Sequence, residues 1–353
     1  MAKRGWSKVG VAVIILAVLA FLISPVSGWA QVKELVIASW EPPDGTGMPP
    51  LRAWLEELSQ KSGGRVTGKI AYGSVMGKAP EHYDLAATGV VDVSYVGLPY
   101  TPGRFPMAEV IQLPISGEAS NETMAKAFWE LYLKGYFNKD FRDVKLLWVV
   151  TTSPYEYQMG KTTVRTFGDM KGKKIRASGA VHTEIVKAFG SVPVGMPAPD
   201  IYVSLEKGVI DGSFTSRSFI KAFRTEPVTK SITEVDVGGF NMAYVMNKKT
   251  YDSLPEDIRT IIDEISPKYT VVSGKQQDAY TEEAGLLVKK AGGTIYQLSG
   301  ADMEKVDEAM APIWKNWIAE GEAKGLPRKQ LVNDFYQILK NMGVTKPFHG
   351  YTP

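Results

Sequence analysis

An arginine that ends a short strand and is followed by small residues can present its planar guanidinium to a carboxylate, making two parallel charge-assisted hydrogen bonds. Arg176 occupies such a place in Gly172-Lys173-Lys174-Ile175-Arg176-Ala177-Ser178-Gly179. Charged side chains are mostly solvated, so the pattern alone favours an exposed arginine. Two loops stand out beside it. Tyr100-Thr101-Pro102-Gly103-Arg104-Phe105-Pro106 follows a strand ending near Val96, and ligands of open α/β sheets sit beyond the carboxyl ends of strands. Ser213-Phe214-Thr215-Ser216 follows Asp211 in the same way. Hydroxyls next to an aromatic ring there suit a small polar ligand with an apolar body, and a capped turn has the same composition.

Signatures of other chemistry are missing. There is no G-x-S-x-G elbow, no phosphate loop and no G-x-G-x-x-G dinucleotide turn. The three histidines, His82, His182 and His349, lie far apart and read as surface or helix-end residues. With no cysteine, disulfides, thiol catalysis and thiolate metal sites are excluded. The sequence thus points to no metal, no cofactor and no enzymatic activity.

The N-terminus has the three-part layout of an export signal: Lys3, Arg4 and Lys8, an uncharged run from Val9 to Ile23, then Gly28-Trp29-Ala30 as a processing site. The run falls short of the ~20 apolar residues of a membrane span. Cleavage after Ala30 is therefore expected, placing the mature protein in the periplasm. Removing residues 1–30 takes away three basic residues and no acidic ones, leaving 38 of each sign. A neutral chain without a basic run has no electrostatic footprint for nucleic acid or anionic lipid. More than 300 mature residues bury adequate cores and suggest about two domains.

The elements that must position these residues alternate. Leu35–Trp40 reads as a strand. Leu51, Trp54, Leu55 and Leu58 fall on one helix face, and Val66–Tyr72 is again strand-like. A helix from Pro80 to Thr88 ends at Gly89 and feeds a strand over Val90–Val96. The plan returns with strands at Lys174–Ala177 and Val192–Val194 and a helix over Asp200–Lys207. That helix ends at Gly208 and leads into Val209-Ile210-Asp211. Thr88-Gly89-Val90-Val91-Asp92 and Lys207-Gly208-Val209-Ile210-Asp211 echo one another, which argues for two similar α/β lobes. Ser253-x-x-Glu256 resembles a capping box, and a long helix is expected over Ser273–Ala291.

The stretch Thr166–Gly212 contains Asp169-Met170-Lys171-Gly172-Lys173-Lys174-Ile175-Arg176, Pro193-Val194-Gly195-Met196-Pro197 and Gly208-Val209-Ile210-Asp211-Gly212. It resembles the periplasmic solute-binding proteins of TRAP transporters, the tripartite ion-driven carriers of organic acids. Tyr100–Pro106 and Val245–Pro255 look like further segments of that family. The resemblance implies a two-lobe periplasmic binding protein fold (class II-like), with hinged lobes, a central ligand cleft and long bracing helices. It implies lobe I over 31–153 and 242–281, lobe II over 154–241 and 282–345, and a tail over 346–353. By the same resemblance Arg176 pairs with the ligand carboxylate. Trp40, Tyr100, Tyr155, Phe214 and Phe240 would form aromatic walls, with Ser178 and Thr215 as polar neighbours. The sialic-acid branch of the family often carries Asn where Thr215 stands here, which weakens any transfer of sugar-acid specificity. The implied partners are a small organic acid and the membrane subunits of a TRAP transporter, with the binding protein itself a monomer. A periplasmic enzyme on the same fold and a ligand-sensing partner of a receptor are the competing readings.

Overall fold

The computed structural model describes residues 32–152 and 154–353, so the expected export signal and its processing site lie outside the described residues. Two sheets organise the chain. The first contains β1 (Lys33–Ala38), β2 (Val66–Ala71), β3 (Val93–Gly97), β4 (Val144–Thr151) and β10 (Asn241–Asn247), in the order β2-β1-β3-β10-β4. The second contains β5 (Tyr155–Met159), β6 (Lys174–Ala177), β7 (Val192–Gly195), β8 (Gly212–Ser216), β9 (Ser231–Val237) and β11 (Thr294–Gln297), in the order β11-β9-β5-β8-β6-β7. In each sheet three neighbouring strands are parallel and the next is reversed: β10 runs against β3, and β5 against β8. The central strands β3 and β10 are buried at every position, as expected where helices cover both faces of a sheet.

Each reversed strand is the chain arriving from the other sheet. β4 passes into β5 across residues 152–154, and β9 passes into β10 across 238–240. The crossings are tied side by side: Thr152 N donates to Phe240 O at 2.9 Å, and Phe240 N donates to Thr152 Oγ1 at 3.1 Å. Two adjacent crossover segments between two sheets make the geometry of a hinge.

The echoed Gly-Val-x-Asp segments occupy equivalent places in the two sheets. Gly89 and Gly208 close their helices with φ of +82° and +69°, which favours glycine. Asp92 Oδ2 then accepts from Val36 N at 2.9 Å, and Asp211 Oδ2 accepts from Lys174 N at 2.8 Å. Each carboxylate takes an N–H of the adjoining strand, and the N–H of each aspartate donates to the carbonyl of that same residue, Val36 or Lys174, at 2.8 Å, so the aspartate is the first residue to join the sheet. The strands expected over Val90–Val96 and Val209–Asp211 therefore start later, at Val93 and Gly212, and Val90 and Val209 are exposed.

The helix Lys268–Lys290 starts earlier than the expected Ser273 and braces both halves. It packs on β4 and the helix Asn121–Leu133 of the first sheet, and on the helix Ser218–Phe223 and β11 of the second. Asp278 on this helix accepts from Asn121 N at 2.7 Å and caps the helix it crosses. The expected capping box at Ser253 does not form. Ser253 closes the helix Lys248–Ser253, donating to Thr250 O, and Pro255 precedes the helix Glu256–Ile265 with no side-chain cap. The end of the chain divides its packing. The helix Gly300–Glu322 lies on the helix Ala180–Ala188 beside the second sheet, whereas Arg328–Asn341 lies on Asn121–Leu133 beside the first.

Candidate functional site

Strand alternation sends Ile175 and Arg176 to opposite faces of β6. Arg176 is completely buried. Its Nε donates to Met196 O at 2.9 Å and its Nη1 reaches Phe214 O at 3.5 Å, while Nη2 has no partner. No carboxylate among the described residues pairs with it. Arg328, the other fully enclosed arginine, differs on that point: its Nη2 lies 3.5 Å from Glu109 Oε2, and its guanidinium covers the Trp317 ring. A buried cation without a counter-ion is costly to hold.

The side chains around Arg176 come from both sheets. Tyr100, in the turn after β3, accepts through its hydroxyl from Ala198 N at 3.0 Å, a contact that joins the two halves. Tyr155 on β5 makes a 3.0 Å hydrogen bond to Ser178 Oγ, which lies 2.7 Å from His182 Nδ1. Burial raises the pKa of both phenols while Arg176 beside each pulls it down, so they stay protonated. Thr215 adjoins Tyr155 on the Arg176 side. The Oγ atoms of Thr215 and of Ser213, the strand partner of Arg176, are buried without partners.

Trp40 forms the facing wall. Its ring is sandwiched between Tyr95 at 5.5 Å and Phe223 at 5.9 Å, with Tyr100, Phe219 and Phe240 set at steep angles around it. Its Nε1 is buried and unpartnered. Phe240 contacts Tyr100 and Phe219 from the second crossing. Two contacts hold the halves together at the rim. Asp44 pairs with Arg224 at 2.5 Å, and Gly179 lies so close to Pro99 that a Cβ would stand 2.6 Å from the Pro99 carbonyl oxygen.

The structure thus gathers Arg176, Trp40, Tyr100, Tyr155, Ser178, Thr215 and Phe240. Phe214 faces the other way. It packs against Tyr155, Tyr157, His182 and Phe189 in the second-sheet core, and only its carbonyl reaches Arg176. Alternation along β8 explains this, since it puts Ser213 and Thr215 on the face that Phe214 leaves.

Sequence reasoning missed His182, Phe219 and Phe223. The two phenylalanines sit at i, i+4, a spacing that marks one helix face. All three histidines, expected at the surface or at helix ends, are buried. Each ring is held at both nitrogens. His82 lies between Ser94 Oγ and Gly77 O, His182 between Ser178 Oγ and Gly239 O, and His349 between Asp307 and Asp236 O. Desolvation lowers the pKa of His82 to about 4 and of His182 to about 3, so both rings are neutral.

Comparison with known proteins places this geometry. Residues 40–320 match the model of bacterial extracellular solute-binding protein family 7. A marine metagenome TRAP solute-binding protein specific for aromatic acid ligands, solved with metahydroxyphenylacetate, superposes with a TM-score of 0.83. It is 28% identical, and the match covers 88% of this chain and 99% of that one. A TRAP solute-binding protein from Rhodoferax ferrireducens, solved with copurified benzoate, is 26% identical with the same TM-score of 0.83 and the same coverage, 88% and 99%. The C4-dicarboxylate-binding periplasmic protein DctP of Rhodobacter capsulatus is 26% identical over 69% of either chain. With two hinged sheets, a buried guanidinium between them and a family match spanning most of its length, this chain belongs to bacterial extracellular solute-binding protein family 7, the solute-binding proteins of TRAP transporters.

Proposed function

We propose that the protein captures an aryl monocarboxylate between its two lobes and presents it, enclosed, to the membrane subunits of a TRAP transporter. The observation that carries this reading is a fully buried guanidinium with no acid partner, set among aromatic rings from both sheets. Arg176 Nη2, the Ser213 and Thr215 hydroxyls and Trp40 Nε1 are buried donors without partners, and Arg176 Nη2 is the charged one for a carboxylate. Tyr100, Phe219 and Phe240 supply apolar ring surface for its body, and Trp40, stacked on both faces, braces them from behind.

Two of the similar solved proteins hold aromatic acids, which supports the same class here. A C4-dicarboxylate, the ligand named for the Rhodobacter capsulatus relative, carries a second anionic group. Among the described residues around Arg176 that group finds no second cation, and burying an unpaired carboxylate is costly.

Closure follows from binding, because only the closed arrangement contacts the ligand from both lobes. We take lobe I as residues 31–153 with 242–281, and lobe II as 154–241 with 282–345, the helix Arg328–Asn341 of that last range packing back on lobe I. Capture without catalysis fits the use made of the most perturbed acids. Burial raises the pKa of Glu41 to about 7, and its carboxylate is taken by Gly47 N at 2.8 Å and the Thr46 hydroxyl at 3.4 Å. Glu156, raised to about 8, is held by Arg217. Neither is free to act on a bound acid.

The test is a calorimetric panel on the mature protein. Benzoate and 3-hydroxyphenylacetate should bind at micromolar or tighter levels, with succinate at least a hundredfold weaker. Preference for succinate would overturn the aryl assignment, and conversion of a bound acid during incubation would overturn capture without catalysis.

A further inference from the structure

Three hydrogen bonds run from the Arg176 pocket to the second crossing between the sheets, and chemistry at the two ends fixes their direction. The terminal acceptor is the Gly239 carbonyl, 3.0 Å from His182 Nε2. A carbonyl cannot donate, so Nε2 carries the proton. The ring is completely buried beside a permanent cation and is neutral, which leaves Nδ1 a bare acceptor. Ser178 Oγ, 2.7 Å away, must therefore donate to it. With its one proton so placed, Ser178 can only accept from the Tyr155 hydroxyl at 3.0 Å. The phenolic oxygen is then left with lone pairs alone, and two donors stand beside it: the Arg176 guanidinium, which has no acceptor, and the Thr215 hydroxyl. No link can be reversed without setting donor against donor or acceptor against acceptor.

The far end of this chain matters as much as the near one. Gly239 lies in the 238–240 crossing. The preceding Gly238 has φ of +70°, and a Cβ there would stand 2.8 Å from Gln112 O, so the strap is pinned from the first-lobe side too. Tyr155 stands at the start of β5, where the other crossing ends, and its ring stacks on His182 at 4.5 Å.

We propose that Tyr155, Ser178 and His182 form a one-way hydrogen-bond relay that holds the Arg176 guanidinium in its ligand-pairing orientation and ties that orientation to the crossing at Gly239. His182 is a positioning residue, acting on the ligand through Tyr155 and Arg176. The inference rests on the reading of Arg176 as the carboxylate anchor. It adds a ligand-sensing link to the hinge: a carboxylate that draws the guanidinium away from Tyr155 loosens the head of the relay, and the bond to Gly239 O answers.

His182→Phe keeps the ring stacked on Tyr155 and removes both of its hydrogen bonds. His182→Gln restores an acceptor and a donor. Benzoate is titrated calorimetrically into the parent, His182→Phe, His182→Gln, Arg176→Met and the double variant His182→Phe/Arg176→Met, with ligand-free melting curves on each. His182→Phe should weaken binding about tenfold, on the scale of one or two buried hydrogen bonds, and His182→Gln should recover most of that. In the Arg176→Met background, His182→Phe should cost less than about twofold, because the group through which it acts is gone. A tenfold loss in both backgrounds would make His182 a packing residue and overturn the relay. Parent-like binding by His182→Phe beside weak binding by Arg176→Met would overturn the relay while leaving the anchor standing. Parent-like binding by Arg176→Met would remove the anchor and the relay together.

Discussion

At Arg176 the chain keeps a charge in a dry interior with two carbonyl oxygens and no acid to balance it. Such a group is destabilising while unpaired, and under the proposed function the arriving carboxylate is its missing partner. Glu41 makes a different prediction. Its folded pKa, about 7, lies above the ordinary value near 4.5. Below that ordinary value both states are protonated. As pH rises through it, the unfolded chain ionises first, so the folded state loses stability up to the folded pKa. Glu41→Gln removes this group while keeping an acceptor for Gly47 N. Its melting temperature relative to the parent should climb between pH 5 and pH 8, by the equivalent of roughly 2–3 kcal/mol. A difference that stays flat across that range would contradict the assignment. The position of Arg176 was legible from its strand end and its segment, but its burial was not, because that depends on strands far along the chain. His182 was illegible for the same reason: the carbonyl that fixes its tautomer lies 57 residues away.

Elements were easier to read than their edges. Helix-ending glycines and apolar runs located most strands and helices, and the echo of Gly-Val-x-Asp marked equivalent turns. What the pattern hid was that each aspartate makes the first contact with the neighbouring strand, through both its carboxylate and its N–H, and that the valines before it stay outside the sheet. The missing capping box has a similar cause, since Pro255 fixes the approach to its helix and Ser253 is occupied closing the previous one. The long helix Lys268–Lys290 offers a test of how closely the two lobes are braced. A Cβ on Gly274 would stand 2.6 Å from Glu122 Cα, backbone that cannot turn aside, whereas one on Gly285 would meet nothing nearer than 3.6 Å. Gly274→Ala should therefore cost about 1–3 kcal/mol through overpacking. Gly285→Ala should be neutral or stabilising by up to about 1 kcal/mol, from helix propensity alone. Urea unfolding of both variants checks the contrast, and equal effects would mean that the helix does not sit tightly on Asn121–Leu133.

Over the whole molecule, the proposed function makes closure of the two lobes the coordinate to test. Residues on both lobes enclose Arg176, and the rim is sealed by Gly179 on Pro99 and by Arg224 with Asp44. Gly179→Ala should prop the lobes apart while leaving each lobe folded. Scattering should show a larger radius of gyration with saturating benzoate than for the parent, with affinity down tenfold or more. An unchanged radius would show that the lobes close on some other contact. Export is a separate matter: the mature chain should begin at Gln31, and N-terminal sequencing of the periplasmic fraction decides it. The two-lobe plan was legible because each lobe repeats the same strand order. Which lobe the last helix joins was not, since the pairing of Arg328–Asn341 with Asn121–Leu133 leaves no periodic trace.

The central claim is that one buried guanidinium captures the carboxylate, and calorimetry of benzoate binding to Arg176→Met and Arg176→Lys tests it most directly. Methionine fills the volume without charge, and lysine keeps the charge without the fork. The account predicts a loss of roughly thirty- to several-thousand-fold for Arg176→Met, the range expected when a desolvated carboxylate is left unpaired. Arg176→Lys should recover part of it, and the ligand-free melting temperature of Arg176→Met should equal or exceed that of the parent, since an unpaired buried charge is removed. Parent-like affinity in Arg176→Met, with the protein folded, would contradict the account.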